Sequence, residues 1–252
     1  MSEQPPIPAA RRPLSMPGFD PQAQPVVPLP SLAPLSPACL DLDFICSAFS
    51  RPVPWQVEPV FHELFLPSAI QAPGIKPAAV FVPLIPHDTG LGVLFTRRAS
   101  HLYNHGGQIS FPGGRIEASD PDPVHAALRE THEEIGVDPG FVQLIGTQPA
   151  FLTTTQYAMT PVVGVLKPGY TLSPNASEVA EIFEVPLSAL MDPRLHQLHC
   201  VNFPDGSQRH YFSIRWQSYF IWGATAALIR NFYHQLAATY QAVLLEKTTK
   251  SR

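Results

Sequence analysis

Residues 106–137 read "GGQISFPGGRIEASDPDPVHAALRETHEEIGV". Asp122 stands where a helix N-cap belongs, Pro123 suits the first helical position, and Gly136 suits the left-handed residue that ends a helix. The spacing therefore predicts a helix of nearly four turns. At 100° per residue, Val124, Ala127, Leu128, Thr131 and Ile135 form one apolar stripe, and Glu130, Glu133 and Glu134 project on the other side. Glu130 and Glu134 are i, i+4 neighbours whose β-carbons lie about 5–6 Å apart, so their charges repel. Such a pair either shares a proton or neutralises a cation, for which a hard divalent ion with oxygen ligands is the natural occupant. The plainer alternative is a solvated acidic face balanced by lysines. No lysine occupies a neighbouring i, i+4 position, and only Arg129, four residues before Glu133, supplies a local partner. Upstream, Gly113 and Gly114 permit backbone conformations closed to other residues and leave amides and carbonyls open to a ligand.

Outward from this stretch the pattern is mainly β. Residues 78–85 ("AAVFVPLI") and 92–98 ("GVLFTRR") flank the turn "HDTG", and further strands are expected at 141–146, 160–166, 181–185, 198–203 and 211–216. The segment "PDGSQ" between the last two has hairpin chemistry. A long amphipathic helix is expected over 223–247. Strands without strict βαβ alternation predict a mixed sheet covered by helices, an α/β architecture.

The 252 residues, 45% of them hydrophobic, allow a substantial core, so one main domain with appendages is expected. Prolines recur from Pro5 to Pro37 and predict a largely irregular arm over residues 1–38. Residues 39–75 read as a linker whose "CLDLDFICSAFS" (39–50) forms a short helix against the domain. The domain itself is expected over 76–247, followed by a tail, 248–252. The net charge of −4 and the absence of a Lys/Arg run argue against nucleic acid. The three cysteines have no metal-like spacing and fit free thiols in a reducing compartment. With no signal-peptide core and no stretch of about 20 apolar residues, the expected location is cytoplasmic and the expected partner a small molecule rather than a membrane.

The glycine loop and acidic helix together resemble the Nudix hydrolases. Their box is Gly, five residues, Glu, seven residues, then Arg-Glu-apolar-x-Glu-Glu-x-Gly-apolar. Here Gly114 opens it and "RETHEEIGV" (129–137) closes it, with Thr131 in the first apolar slot. Asp120 replaces the first Glu, and eight residues rather than seven separate it from Arg129. These departures are similar to those of the coenzyme A pyrophosphatase subgroup. Its upstream signature is matched by Thr96, Arg98, Gly107, Phe111, Pro112, Gly113 and Gly114 in "LFTRRASHLYNHGGQISFPGG" (94–114), with Phe95 and Ala99 as mild substitutions and Tyr103 where the subgroup carries Arg. Residues 177–193 and 221–231 also resemble that subgroup.

The resemblance implies an α/β/α Nudix sandwich with a mixed β-sheet. It further implies Mg²⁺- or Mn²⁺-dependent hydrolysis of a nucleoside-linked diphosphate; for coenzyme A the products are 3′,5′-ADP and 4′-phosphopantetheine. Glu130 and Glu134 become the principal metal ligands, Glu133 a further ligand or part of the water-activating group, and a Gly114 carbonyl a candidate to complete the shell. Arg129 is expected to orient a carboxylate. Asp120 reads equally as a water-mediated ligand or a loop cap. Arg98, Gly113 and Gly114 are the expected substrate contacts, and Arg97, His101 and His105 cluster with Arg98 near where an extra phosphate could bind. Thr153–Thr155 and Tyr157 are expected to line a loop beside the site; Glu178 and Glu181 lie where a further Nudix carboxylate could come from, with a solvated acid near a strand edge as the preferred reading of either. The assembly admits a homodimer. Two other readings are a Nudix enzyme for NADH or ADP-ribose, and a catalytically silent sensing module, whose mark would be loss of the three glutamates.

Overall fold

The structure, a computed structural model, describes residues 19–29, 31–102, 106–204 and 206–250. Its strands in chain order are β1 (Val26–Val27), β2 (Lys76–His87), β3 (Gly90–Arg98), β4 (Ile109–Ser110), β5 (Gly113–Arg115) and β6 (Val142–Thr147). They continue with β7 (Phe151–Leu152), β8 (Tyr157–Leu166), β9 (Val179–Pro186), β10 (His196–Asn202), β11 (Gln208–Trp216) and β12 (Tyr219–Trp222). The α-helices are α1 (Leu42–Ser50), α2 (Pro67–Ile70), α3 (Pro123–Ile135), α4 (Leu187–Leu190) and α5 (Ala224–Lys250).

The main sheet runs β4-β3-β2-β8-β6, with β5 on β2, β7 on β8 and β9 on β3. The β2–β8 pairing is parallel and the others antiparallel, so this sheet is mixed, as expected. Alternation along β2 sends Ala79, Phe81 and Ile85 toward α3, where they pack with Ala126, Ala127, Ile135 and Leu166. Val80, Val82 and Leu84 face the opposite way into a second cluster with Phe212, Ile214 and α5 residues including Leu228, Phe232 and Leu236. Helices therefore cover both faces, the α/β arrangement expected from the sequence. Pro83 is tolerated within this central strand because of where its missing donor falls. Phe81 N donates to Pro112 O at 2.8 Å. Pro83, two residues on, faces the same side at the point where β2 passes from pairing with β5 to pairing with β3.

A second, four-stranded sheet, β1-β10-β11-β12, was not separated from the first in the sequence reading. The expected hairpin joins β10 to β11, with Asn202 opposite Gln208. Helix α5 also departs from expectation. Its first half is buried nearly all round rather than along one stripe, because α1, the second sheet and the proline-rich segment enclose it. Polar residues in this half are held by an internal network: Arg230 Nε donates to Glu58 at 2.7 Å, His234 Nε2 lies 2.9 Å from the same carboxylate, and Asn231 Oδ1 accepts from Glu58 N.

The expected α1 is present and buries Ile45 and Ala48. The described part of the proline-rich arm is irregular between contacts but docked. Val26 and Val27 pair with His199 and Leu198, Tyr211 Oη donates to Pro21 O at 2.5 Å, and Tyr233 Oη donates to Ala33 O. Proline removes amide donors but leaves carbonyls, and donors elsewhere in the chain use them.

Candidate active site

Helix α3 begins and ends as its caps dictate. Asp122 accepts from His125 N at 2.9 Å, and Gly136 closes the helix at φ 76°. The three glutamates do not share one environment. Glu133 remains exposed, Glu130 is largely covered, and Glu134 is only 4% exposed. Glu134 does not lie opposite the apolar stripe as expected: seven residues from Ala127, it falls about 20° from it around the axis and is buried on the same flank, where β5 and the loop before β9 close over it. Gly113 N donates to Glu134 Oε2 at 3.3 Å, and Asn175 N donates to the Glu134 carbonyl at 2.9 Å.

The backbone requires glycine at 113, and a side chain at 114 would displace the Glu130 carboxylate. Gly113 has φ 149°, and a β-carbon there would meet Ala79 O at 2.4 Å; one on Gly114 would meet the Glu130 carboxylate at 2.4 Å. Glycine at 113 lets the loop lie against β2, and glycine at 114 leaves room for Glu130 of the acidic helix.

Burial pushes the Glu134 carboxyl up to about 8, with Glu130 and Glu178 adding to the rise and the Gly113 amide and Arg98 opposing it. Burial also raises Glu130, against the pull of Arg129. Glu178, read from sequence as a solvated acid, thus belongs to the electrostatic neighbourhood of both glutamates. Its backbone carbonyl accepts from Ala99 N at 2.7 Å, which ties it beside Arg98. Nothing in its local sequence separates it from Glu181, which instead pairs with Arg97 at 3.3 Å and accepts from Tyr219.

Arg129 gathers the outer acids. Its Nε and Nη2 donate to the two Asp120 oxygens at 3.1 and 2.9 Å, Nη2 also to Arg115 O at 3.0 Å, and Nη1 to Glu130 at 3.2 Å and Glu133 at 3.1 Å. Asp120 additionally accepts from Glu117 N at 2.8 Å. Of the two roles read for Asp120, this geometry favours the loop cap. Arg129 holds Asp120 well below the usual carboxylate range.

A cavity of about 600 Å³ opens beside this cluster, and Arg98, Gly113 and Gly114 line its head. Thr153, Thr154, Thr155 and Tyr157 line it as expected, and Phe61, Tyr211 and Trp222 add aromatic walls that the sequence reading did not assign. Arg98 Nη1 lies 3.7 Å from Glu134 Oε1, so it reaches the acidic end. Arg97 stands over the Tyr219 ring at 5.3 Å and is absent from the cavity lining. His101 is exposed on a turn, and Tyr103 and His105 lie outside the described residues.

The donor chemistry suits a hard divalent cation: Glu130, Glu134 and Glu178 offer only oxygen, and their mutual repulsion is what a cation relieves. Among the described residues no three acidic, histidine or cysteine side chains converge on one point. Here the carboxylates of Glu130 and Glu133 turn to Arg129.

The fold and site define an α/β domain in which a glycine loop lines a cavity and packs against an acidic helix. The chain belongs to the Nudix family: the family pattern described as NUDIX domain matches residues 75–204. It is 39% identical over 162 residues to an uncharacterized Nudix hydrolase NudL of Enterobacter sp. (strain 638), covering 64% of this chain and 83% of that one. The NudL of Pectobacterium atrosepticum is 34% identical over 204 residues, covering 81% of this chain and 96% of that one. Among solved structures it is similar to a Nudix hydrolase from M. smegmatis, RenU, with TM-score 0.38 and 27% identity over 44% of this chain and 71% of that one. No helix among the described residues is long and apolar enough to cross a membrane.

Proposed function

We propose that this Nudix chain hydrolyses the diphosphate bond of coenzyme A or its derivatives, giving 3′,5′-ADP and 4′-phosphopantetheine or its acyl form. The observation that carries the reading is that Arg98 and Gly113, both lining the cavity with Gly114, also reach the acidic helix at Glu134, with Glu130 against Gly114. Arg98 belongs to the coenzyme A signature, and the glutamates to the general Nudix box.

Glu130 and Glu134, with Glu133 as a further ligand, would hold Mg²⁺ or Mn²⁺, which supplies neutralisation of the diphosphate and a bound water of lowered pKa. Arg98 directs its guanidinium toward a phosphate oxygen as well as toward Glu134. The open backbone at Gly113 and Gly114 lets the diphosphate approach without a side chain intervening. A carboxylate of the same acidic neighbourhood takes the proton released as water oxygen bonds to phosphorus and the bridging P–O bond breaks. Arg129 positions Glu130 and Glu133 without touching the substrate.

Purified protein with Mg²⁺ or Mn²⁺ is incubated with coenzyme A, acetyl-coenzyme A, NADH and ADP-ribose, and products are identified by mass spectrometry. The reading expects 3′,5′-ADP from coenzyme A. Cleavage of ADP-ribose or NADH with coenzyme A untouched overturns the substrate while keeping the chemistry; failure on all four overturns both.

A further inference from the structure

Arg115 follows the glycine pair and faces the cavity. In the main sheet it stands opposite Ala78, while Tyr157 stands opposite Lys76. Lys76, Ala78 and Val80 alternate onto one face of β2, and Ala78, Val80, Arg115 and Tyr157 all line the cavity. Arg115 Nε and Nη2 donate to the Tyr157 hydroxyl at 3.0 and 2.7 Å, and its guanidinium carbon lies 5.5 Å from the ring centre. Lys76 Nζ approaches the same ring at 5.9 Å. Thr153 accepts from Tyr157 N at 3.0 Å and fixes the start of this strand.

Two cations thus gather around one phenol. Among the described residues neither forms an ion pair with a carboxylate, while the nearby acids are engaged elsewhere: Asp120, Glu130 and Glu133 with Arg129, and Glu134 with Arg98. Two of the five guanidinium N–H groups of Arg115 serve Tyr157, leaving three free to donate. A guanidinium braced on one edge and open on the other presents the planar fork that matches phosphate oxygens. Of the two arginines that end β3, Arg98 stands at the acidic end beside Glu134 and Arg97 pairs with Glu181. Arg115 is therefore a cavity-lining cation that pairs with no carboxylate among the described residues.

We propose that Arg115, braced by Tyr157 and assisted by Lys76, is a subsite for a phosphate monoester on the substrate, separate from the diphosphate at the acidic end. The inference rests on the diphosphatase reading and deepens it: the preferred substrates are nucleoside diphosphate derivatives bearing an additional terminal phosphate. The subsite selects by binding, and no bond to that phosphate breaks.

The test compares coenzyme A with 3′-dephospho-coenzyme A for the parent, Arg115→Gln and Arg115→Lys. In Arg115→Gln the KM for coenzyme A is expected to rise at least tenfold more than that for the dephospho form, with the ratio of their kcat values unchanged. Arg115→Lys should recover part of the difference. An equal loss on both substrates would place Arg115 at the diphosphate and overturn the subsite, as would no change on either. Calorimetric binding of 3′,5′-ADP against 5′-AMP, without added metal, reads the subsite independently of turnover. If coenzyme A is not cleaved, the functional reading falls. A preference for 3′,5′-ADP that Arg115→Gln removes still sustains the subsite, and equal affinity for the two nucleotides overturns it.

Discussion

Arg129 grips Asp120 through two parallel hydrogen bonds, Nε to Oδ1 at 3.1 Å and Nη2 to Oδ2 at 2.9 Å. The shorter acid and the extra residue between them are accommodated as a clamp on the glycine loop, since Arg129 also holds the Arg115 carbonyl. Arg129 thereby transmits the loop position to Glu130 and Glu133.

Asp120→Asn should lower kcat about tenfold while leaving the metal concentration for half-maximal rate unchanged, because a charge-assisted hydrogen bond that positions Arg129 is weakened. Metal titrations of the rate check this. A several-fold rise in the metal requirement would make Asp120 a ligand.

Glu134→Gln should reduce turnover at least about 100-fold, as expected when a charge at the reacting centre is lost. The folded protein should persist, because the amide retains the shape of this buried side chain. Mg²⁺ should raise the melting temperature of the parent and not of the variant, since a ligand stabilises only what it binds. A chelator should abolish parental turnover and restored Mg²⁺ should return it. An active Glu134→Gln enzyme would remove Glu134 from the ligand set.

His196 predicts the acid limb of stability. Its Nδ1 faces Arg230 Nη1 at 3.1 Å, which can only donate, and its Nε2 donates to Leu190 O at 2.7 Å, so the ring is held neutral. Burial lowers its pKa from 6.5 to about 4. Between those values the unfolded chain takes up a proton that the folded chain does not, so stability is full above pH 6.5 and falls as pH drops toward 4. The loss is about 1.4 kcal/mol per pH unit inside that window. Urea unfolding across the window should give a shallower pH slope for His196→Gln, and an unchanged slope would discharge the histidine from this role.

The Glu58–Arg230 pair is buried on both sides, with side chains only 3% and 2% exposed. Glu58→Gln should cost about 3–5 kcal/mol, because it leaves a guanidinium in the core without its counter-charge. Replacing both residues by methionine should cost less than the single change. Chemical denaturation of the single and double variants checks the order.

The sequence made visible the elements whose signal is local. Helix α3 was bounded to the residue by Asp122, Pro123 and Gly136, and the strands from β2 to β11 with sustained apolar runs were all placed. Two-residue strands such as β4 and β7 escaped because their pairing is set by distant partners. At the site, the juxtaposition of Gly113, Gly114 and the acids followed from spacing. Glu134's burial, Glu178's proximity and Arg115's position on the cavity face did not, because each depends on which strand lies across from it. Proline composition likewise predicted an absence of regular structure, but not the donors of Tyr211 and Tyr233 that capture the arm.

That capture has a consequence for how the molecule is made. Pro21 is held by Tyr211 and Ala33 by Tyr233, contacts separated by 190 and 200 residues. During synthesis the arm is exposed before any of its partners exist, and it docks only once β10, β11 and much of α5 have formed. Contacts that close such long loops carry the entropy of closure and come late. Residues 21–33 therefore settle late although they precede their partners in the chain, and refolding should show their amides gaining protection after the main sheet.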